Sequence, residues 1–509
     1  MAQAKTLPHS PSGLGSHLGD VVAGLSVAII LIPQALAYAE LAGMPAYTGL
    51  YAAALPPLAA AFFASSPYLQ TGPVALSALL TFAALSPLAT PGSPDYLALG
   101  ALLALIVGVV RVLLGAFGLG IVAYLMSQPV LMAFSSAAGI VILASQLPAA
   151  LGVMPPSQDL LVGALWAVAN PLSWQPGALL ITTFTLVLMH FGSRFHPLFP
   201  AIPLSIAFAM LYVTLLDYRG PVVGAVPPGL PPFTLSFPWE AVPELLLPGL
   251  VIALVGFAEA ASIGRTYAAQ ERKPWSADKE FVSQGVANLA AALSGAFPVG
   301  GSFSRSALVR SAGAKTRWSG AVTGLAVLLF LPFAGVISSL PKAVLGALVI
   351  GGILGLIRLR ELMRLRRYSK PQFALAWTTV AATLLFAPHI ERALLLGVAL
   401  AIGVHLWRET RFTVRDWNEG KTLHFKPQGV LWFGSTHLLE ETFVRLLAAH
   451  PEAERLVIHL DGLGRTDLTG TLALRALLRD ARKAGLRVDL QDIPPQSYKV
   501  VSRVMDWDR

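Results

Sequence analysis

The chain has 509 residues, 55% hydrophobic and only 12% charged, with a formal net charge of +9 and no Cys. Water-soluble domains carry about 25% charged residues, so a soluble enzyme and a disordered chain are both excluded. The missing Cys excludes disulfide scaffolds, thiolate metal sites, iron–sulfur clusters and thiol catalysis.

Charge is unevenly spread. Residues 411–509 hold 15 of the 36 basic and 13 of the 27 acidic residues, leaving 21 and 14 for residues 1–410. The chain therefore reads as a membrane-embedded body followed by a soluble domain at 410–509. Most of the basic excess lies on the body, as loops facing anionic lipid require, and a nucleic-acid partner is not expected.

Residues 1–18 are polar and rich in Gly, Pro and Ser, and read as a cytoplasmic N-terminal segment. The apolar run behind them reads as a first span rather than a cleaved leader, so no signal peptide is expected. A bilayer core takes about 20 apolar residues per helix. Such runs fit at 20–40, 46–64, 73–86, 97–121, 125–147, 176–192, 199–216, 244–264, 280–296, 303–313, 318–337, 339–357, 372–387 and 391–407. That predicts an α-helical membrane protein with 14 transmembrane segments over 19–409. Segment 159–170 reads as an interfacial helix. The Pro- and Gly-rich stretch 217–243 joins repeat one (about 19–216) to repeat two (about 244–409).

Span 3 follows Thr71-Gly72-Pro73, and span 10 follows Val299-Gly300-Gly301-Ser302. Both are short, and each is third in its half. Seven spans per half make the halves opposite in orientation, a seven-plus-seven inverted repeat. A single Gly or Pro break would be an ordinary kink. A matched pair of interrupted spans is a pointer to a transporter's substrate site.

Lys and Arg placement sets the orientation. With the N-terminus inside, Arg265, Arg272, Lys273 and Lys279 fall inside, as do Arg310, Lys315 and Arg317. So do Arg358, Arg360, Arg364, Arg366, Arg367 and Lys370. Arg219, Lys342 and Arg392 fall outside. The C-terminal domain is then cytoplasmic.

Ionisable residues within spans are costly and are functional candidates. Glu40 ends span 1, Glu259 lies in span 8 and Arg305 starts span 10; Arg111 in span 4 is given no role. Gln34 and Tyr38 lie one turn apart on span 1 and share a face. Two half-helices meeting N-terminus to N-terminus would focus positive potential on one point. Arg305 adds a charge there, Ser302 and Ser304 add hydroxyl donors, and Val74 and Ala75 let the opposing backbone approach a ligand. Helix capping is the plain alternative for the two serines. Glu259 is either a partner for Arg305 or a proton carrier, and Glu40 either a proton carrier or an interfacial residue.

The segments PQALAYAELAGMPAYTGLY (33–51), EAASIGRTYA (259–268) and GSFSRSALVRSAGAKT (301–316) resemble the sulfate-permease (SulP) family, also called solute carrier family 26. The resemblance covers nearly the whole chain. It implies core and gate domains, a dimer, and an anion site between spans 3 and 10. That site would draw on Gln34, Tyr38, Val74, Ser302, Phe303, Ser304 and Arg305. Glu259 matches the acidic position of proton-coupled plant-type members. Glu40 stands where many eukaryotic members have an apolar residue, which favours proton symport over chloride–bicarbonate exchange. Val74 replaces an aromatic found in several animal members and leaves room for a larger anion.

From about 418 strand-like runs alternate with helical ones in the order β-β-α-β-α-β-α, a small α/β layer domain. It resembles the family's STAS domain, in which a helix start carries a phosphorylated Ser. Here Asp467 and Thr469 stand at that place, and helix capping is the favoured reading.

The expected function is secondary active transport of small anions across the bacterial inner membrane. Proton-coupled symport of sulfate, bicarbonate or a dicarboxylate such as fumarate is the leading form. The alternatives are an anion exchanger or channel, or a nucleobase:proton symporter of the same architecture. The last needs carboxylates on spans 8 and 10, whereas span 10 offers Ser and Arg. No nucleophile–base pair or metal cluster is visible, so neither an enzyme nor a cofactor is expected. The partners are the anion, a proton, the bilayer, a second copy of the chain and a cytoplasmic protein at the soluble domain.

Overall fold

The computed structural model describes residues 14–124, 127–157, 159–195, 199–216 and 218–505. Most of the expected N-terminal segment 1–18 lies outside them. The chain forms two compact units, Met1–Val398 and Ala399–Arg509.

The first unit is helical. It opens with α1 (Leu14–Leu41), α2 (Ala46–Phe63), strand β1 (Gln70–Gly72), α3 (Ala75–Leu85), α4 (Pro94–Ala116) and α5 (Gln128–Leu151). There follow α6 (Leu160–Ala169), α7 (Pro176–Phe195), α8 (Ala201–Leu215), α9 (Val242–Glu271) and α10 (Ala277–Leu293). Strand β2 (Gly300–Ser302) leads into α11 (Phe303–Ser311), then α12 (Trp318–Phe330), α13 (Lys342–Ile353), α14 (Leu359–Tyr368), α15 (Lys370–Leu385) and α16 (Ile390–Glu409). A helix lies at each expected span, and α6 at the expected interfacial segment. Among the described residues, eight helical runs are long and apolar enough to cross a membrane. Helix α14 falls where the sequence suggests only a basic loop. The unit boundary falls inside α16, while the expected boundary at 410 follows its last residue.

The packing is two-fold in pattern. If α9–α13 are matched in order to α1–α5, and α15 to α7, contacts recur in pairs. Helix α4 packs on α10 as α12 packs on α2, α4 on α9 as α12 on α1, and α5 on α15 as α13 on α7. The strands obey the same pairing: β1 and β2 are antiparallel, with Gln70 opposite Ser302 and Gly72 opposite Gly300. Helices α3 and α11 therefore leave this crossing in opposite directions, with both N-termini beside it.

Close helix approach rests on glycine, since apolar lipid gives helices no hydrophobic drive to associate. A Cβ on Gly324 of α12 would stand 2.4 Å from the Ala54 carbonyl oxygen of α2. On the matching pair, a Cβ on Gly285 of α10 would stand 2.7 Å from the Val112 nitrogen of α4. Gly351, on α13, packs against Met189 of α7, while a Cβ on Gly352 or Gly355 would meet open space. Gly324→Ala is expected to destabilise by roughly 1–3 kcal/mol through overpacking, with Gly352→Ala near neutral. Thermal melting in detergent checks this; equal melting temperatures for the two variants would refute a backbone-contact role for Gly324.

Segments assigned to one side by charge do meet in space. Asp20 Oδ1 accepts the N–H groups of Lys315 (2.8 Å) and Thr316 (2.9 Å), and Arg310 pairs with Glu271 (3.2 Å). Among segments expected on the other side, the Lys342 N–H donates to the Pro221 carbonyl (2.9 Å), and Lys342 Nζ lies 2.8 Å from Glu40.

The second unit contains β3 (Thr413–Glu419), β4 (Thr422–Leu431), α17 (Thr436–Ala449), β5 (Arg455–His459), β6 (Leu463–Thr466), α18 (Leu468–Lys483), β7 (Arg487–Gln491) and α19 (Pro495–Met505). The sheet order is β3-β4-β5-β7, with β6 on the far end of β4; β3 is antiparallel to β4 and the other pairs are parallel. Three details differ from the sequence reading. The first two expected strands are one, β4, with a bulge where Gly429 takes φ +126° and the strand changes partner from β5 to β6. Strand β6, four residues long, is not among the expected elements. Strand β3 is almost wholly exposed, so it shows no alternation of apolar and polar residues to detect. The core is Leu423, Phe425, Leu431, Phe443, Leu456, Ile458 and their neighbours. Asp467 caps α18 by accepting the Gly470 N–H (2.7 Å), and Thr469 is exposed beside it.

Candidate functional site

The β1–β2 crossing is built to bring backbone close to backbone. Gly72 takes φ +152°, and a Cβ there would sit 3.5 Å from the Arg305 guanidinium. A Cβ on Gly301 would stand 2.7 Å from Leu69 and 3.1 Å from Ala260 of α9. The crossing is tied down by polar side chains from α10 and α11. Gln284 Nε2 donates to Thr71 Oγ1 (2.7 Å), and the Gln70 N–H donates to Ser306 Oγ (2.9 Å).

Two helix N-termini open at this crossing. Val74, extended at φ −138°, precedes Ala75 and offers no side-chain cap to α3. Its first-turn amides thus lack an acceptor from the capping position. Ser302 occupies the same place on α11, where its hydroxyl accepts the Arg305 N–H (3.5 Å) and lies 3.3 Å from the Ser304 hydroxyl. Capping, the plain reading of Ser302, is therefore present alongside any ligand role.

Arg305 is 1% exposed. Its Nη2 donates to the Pro73 carbonyl (2.9 Å), bridging α11 to the segment that leads into α3. Its buried Nε has no protein partner. Among the described residues no carboxylate pairs with it, although Glu259 and Tyr38 lie within electrostatic reach. A guanidinium buried without a counter-ion is costly. This one lies where two helix dipoles add positive potential.

A cavity of about 150 Å³ lies against the crossing. At about 30 Å³ per water such space holds about five waters, enough for a small polyatomic anion. Leu76 and Phe303 bring the first turns of α3 and α11 to it, and α9 contributes Val255, Ala258, Glu259 and Ser262. The opposite wall is α5, with Gln128, Ser135 and apolar residues, closed by Leu356 and Arg358. Glu259 faces this space and takes no hydrogen bond from the described protein.

The expected site residues thus fall in different places. Phe303 and Glu259 line the cavity. Thr71, Gly72, Pro73, Val74, Ala75, Gly301, Ser302, Ser304 and Arg305 form the crossing behind it, and Tyr38 lies near Arg305 and Glu259. Gln34 is 6% exposed, with a buried Oε1 lacking a partner. Glu40 stands apart. It is paired with Lys342 and lines a different, more open cavity with Gly43, Phe82 and Ser145.

Several residues of this region carry no sequence signal of their role. Arg111 is fully buried and donates to three carbonyls, those of Ala253 (3.0 Å), Ile252 (3.0 Å) and Val299 (2.9 Å). It joins α4 to α9 and to the residue before β2. Glu280, also fully buried, accepts the Ser66 N–H (2.8 Å) and Trp275 Nε1–H (3.0 Å) on one oxygen. Asn288 clamps Val299 through both its amide groups (3.0 and 3.1 Å). With Gln284, these side chains make α10 the polar spine behind the crossing.

The profile of the sulfate permease family matches residues 18–379. A probable sulfate transporter of Mycobacterium tuberculosis (strain ATCC 25618 / H37Rv) is 35% identical over 391 residues, covering 75% of this chain and 69% of that protein. Sulfate transporter 4.1, chloroplastic, of Arabidopsis thaliana is 33% identical over 404 residues, covering 76% and 58%. In fold, the inward-facing murine Solute Carrier 26 family member A9 anion transporter aligns at TM-score 0.89 and 20% identity, over 97% of this chain and 88% of that one. The transmembrane domain of the cyanobacterial bicarbonate transporter BicA aligns at TM-score 0.66 and 22% identity, over 77% and 98%.

Proposed function

We propose, from the premise that this chain belongs to the sulfate permease family of membrane transporters, that it is a proton-coupled symporter of small oxyanions in a bacterial inner membrane. One observation carries the reading: Arg305, buried without a counter-ion, with a free Nε–H, where the N-termini of α3 and α11 meet beside a cavity. An anion entering that cavity supplies the missing negative charge. Sulfate leads the substrates, supported by the relatives' names; bicarbonate, which the BicA title names, and a dicarboxylate such as fumarate follow.

The paired contacts and the antiparallel β1–β2 crossing support fourteen spans in a seven-plus-seven inverted repeat. Helices α3, α9 and α11 then belong to the core, and α5 with Leu356 and Arg358 to the gate. The C-terminal strand and helix order supports a STAS domain, and the basic loops, read as inside, support cytoplasmic termini. A homodimer completes the assembly.

Glu259 is the proposed proton carrier, because its carboxylate faces the cavity without a hydrogen-bond donor. Glu40 is the second candidate. Its proton would compete with Lys342, so protonation there would release the end of α1 from α13. The test is uptake of labelled sulfate, bicarbonate and fumarate into proteoliposomes with an imposed pH gradient. An inward proton gradient is expected to drive uptake of at least one. Glu259→Gln is expected to keep binding and exchange but lose the response to the gradient. Gradient-independent exchange in the unaltered protein would replace symport with an exchanger, single-channel currents with a channel, and uptake of uracil alone with a nucleobase symporter.

A further inference from the structure

We infer that the arginine face of α14 is a docking surface for anionic phospholipid headgroups of the leaflet it borders, and that their binding tunes transport through the cavity wall. The coupling to transport rests on the function proposed above; the docking itself does not. Helix α14 is ten residues long. Leu362, fully buried, anchors it in a cluster with Ala133 and Ala137 of α5 and Ala376 and Val380 of α15.

The opposite face carries Arg360, Arg364 and Arg367 at i, i+4 and i+7, so the three guanidinium groups share one side. None of them has an ion-pair partner among the described residues. The helix's one acid, Glu361, lies 3.8 Å from Arg358 instead. Beside this face Leu359 and Met363, one turn apart, are 40% and 50% exposed. A soluble anion or a nucleic acid would leave those apolar groups in water. A lipid surface accommodates both, with phosphates at the guanidinium forks and acyl-chain boundary at Leu359 and Met363. The three arginines stand on a convex face rather than in a cavity, so a flat sheet of headgroups suits them better than an enclosed ligand.

The segment leading into this helix touches the candidate site. The Arg358 N–H donates to Ser136 Oγ (3.1 Å), which itself donates to the Leu356 carbonyl (3.2 Å). Both Leu356 and Arg358 line the cavity. Headgroups that hold α14 in the interface therefore hold one wall of that cavity.

The experiment compares R360Q/R364Q/R367Q and R360K/R364K/R367K with the unaltered chain, in vesicles of phosphatidylcholine alone or with added phosphatidylglycerol. Because the chain has no Cys, Met363→Cys accepts a single fluorophore, whose quenching by brominated phosphatidylglycerol or phosphatidylcholine reports docking without any transport. Phosphatidylglycerol is expected to quench more strongly, and to raise anion uptake, in the unaltered and Lys backgrounds. Each neutralised arginine should weaken headgroup association roughly fivefold, so the triple Gln variant should lose both effects. Equal quenching by the two lipids in the unaltered background, or undiminished preference in the triple Gln variant, would overturn the docking. Stimulation of uptake by inorganic phosphate in phosphatidylcholine vesicles would reassign the face to a soluble anion. Selective quenching with no uptake in any vesicle would leave the docking standing and refute the transport reading instead.

Discussion

Arg305→Gln is expected to reduce anion uptake by about 30-fold or more, with the melting temperature little changed. Truncating one partner of a buried, hydrogen-bonded charge pair costs roughly 2–5 kcal/mol, and each 1.4 kcal/mol is a factor of about ten. Among the described residues Arg305 has no salt-bridge partner and one side-chain hydrogen bond, to the Pro73 carbonyl. Gln can approach that carbonyl with its own amide, so much of the bridge between α11 and the β1–α3 segment survives. The lost quantity is charge at the crossing. The effect should therefore fall mainly on apparent affinity, and more on a divalent than on a monovalent anion. Arg305→Lys keeps the charge but lacks the forked donor, so it should recover part of the uptake with less discrimination among anions. Uptake assays with sulfate and bicarbonate across the three proteins decide this. Unchanged affinity for both anions in Arg305→Gln would mean that the positive end of the site is the helix N-termini alone.

How much of this was legible beforehand follows from the physics of each signal. Long apolar runs are required by the bilayer and by little else, so helices appear at every expected span. The crossing was legible from Gly and Pro at matched places, because Gly72 takes a φ of +152° that side chains disfavour and a Cβ on Gly301 would press on Leu69 and Ala260. Strands β1 and β2, at three residues each, are too short to show a period. Helix α14 was hidden by its own charge: six basic residues between 358 and 370 read as a loop until one face is seen to be buried at Leu362. The α5 wall of the cavity was invisible, because Gln128 and Ser135 are isolated polar residues whose place is set by how α5 packs. In sequence Glu40 and Glu259 are both proton-carrier candidates, one at a helix end and one within a span. The fold pairs the first with Lys342 and sets the second against the cavity beside the crossing.

Arg111 shows most clearly what a sequence hides, since its partners are carbonyls 141, 142 and 188 residues away in the chain. Arg111→Ala is expected to cost roughly 3 kcal/mol or more, by loss of charge-assisted bonds and by the cavity left behind. Arg111→Met restores most of the volume and removes a buried charge that has no ion-pair partner, while Asn288 still donates to the Val299 carbonyl (3.1 Å). The Met variant should therefore melt closer to the unaltered protein than the Ala variant does, yet transport poorly. The reason is geometric. Nη1 holds the Val299 carbonyl, immediately before β2, while Nε and Nη2 hold two successive carbonyls of α9. One guanidinium thus fixes the start of β2 against the helix that carries Glu259. A side chain that only fills space leaves that register to Asn288 alone. Arg111→Lys separates charge from geometry, because one ammonium cannot reach three carbonyls at these positions. Uptake and melting curves for the three variants give the answer together. Full uptake in Arg111→Met would reduce Arg111 to a space filler. Recovery by Lys would show that its charge, added to that of Arg305, is what the anion meets.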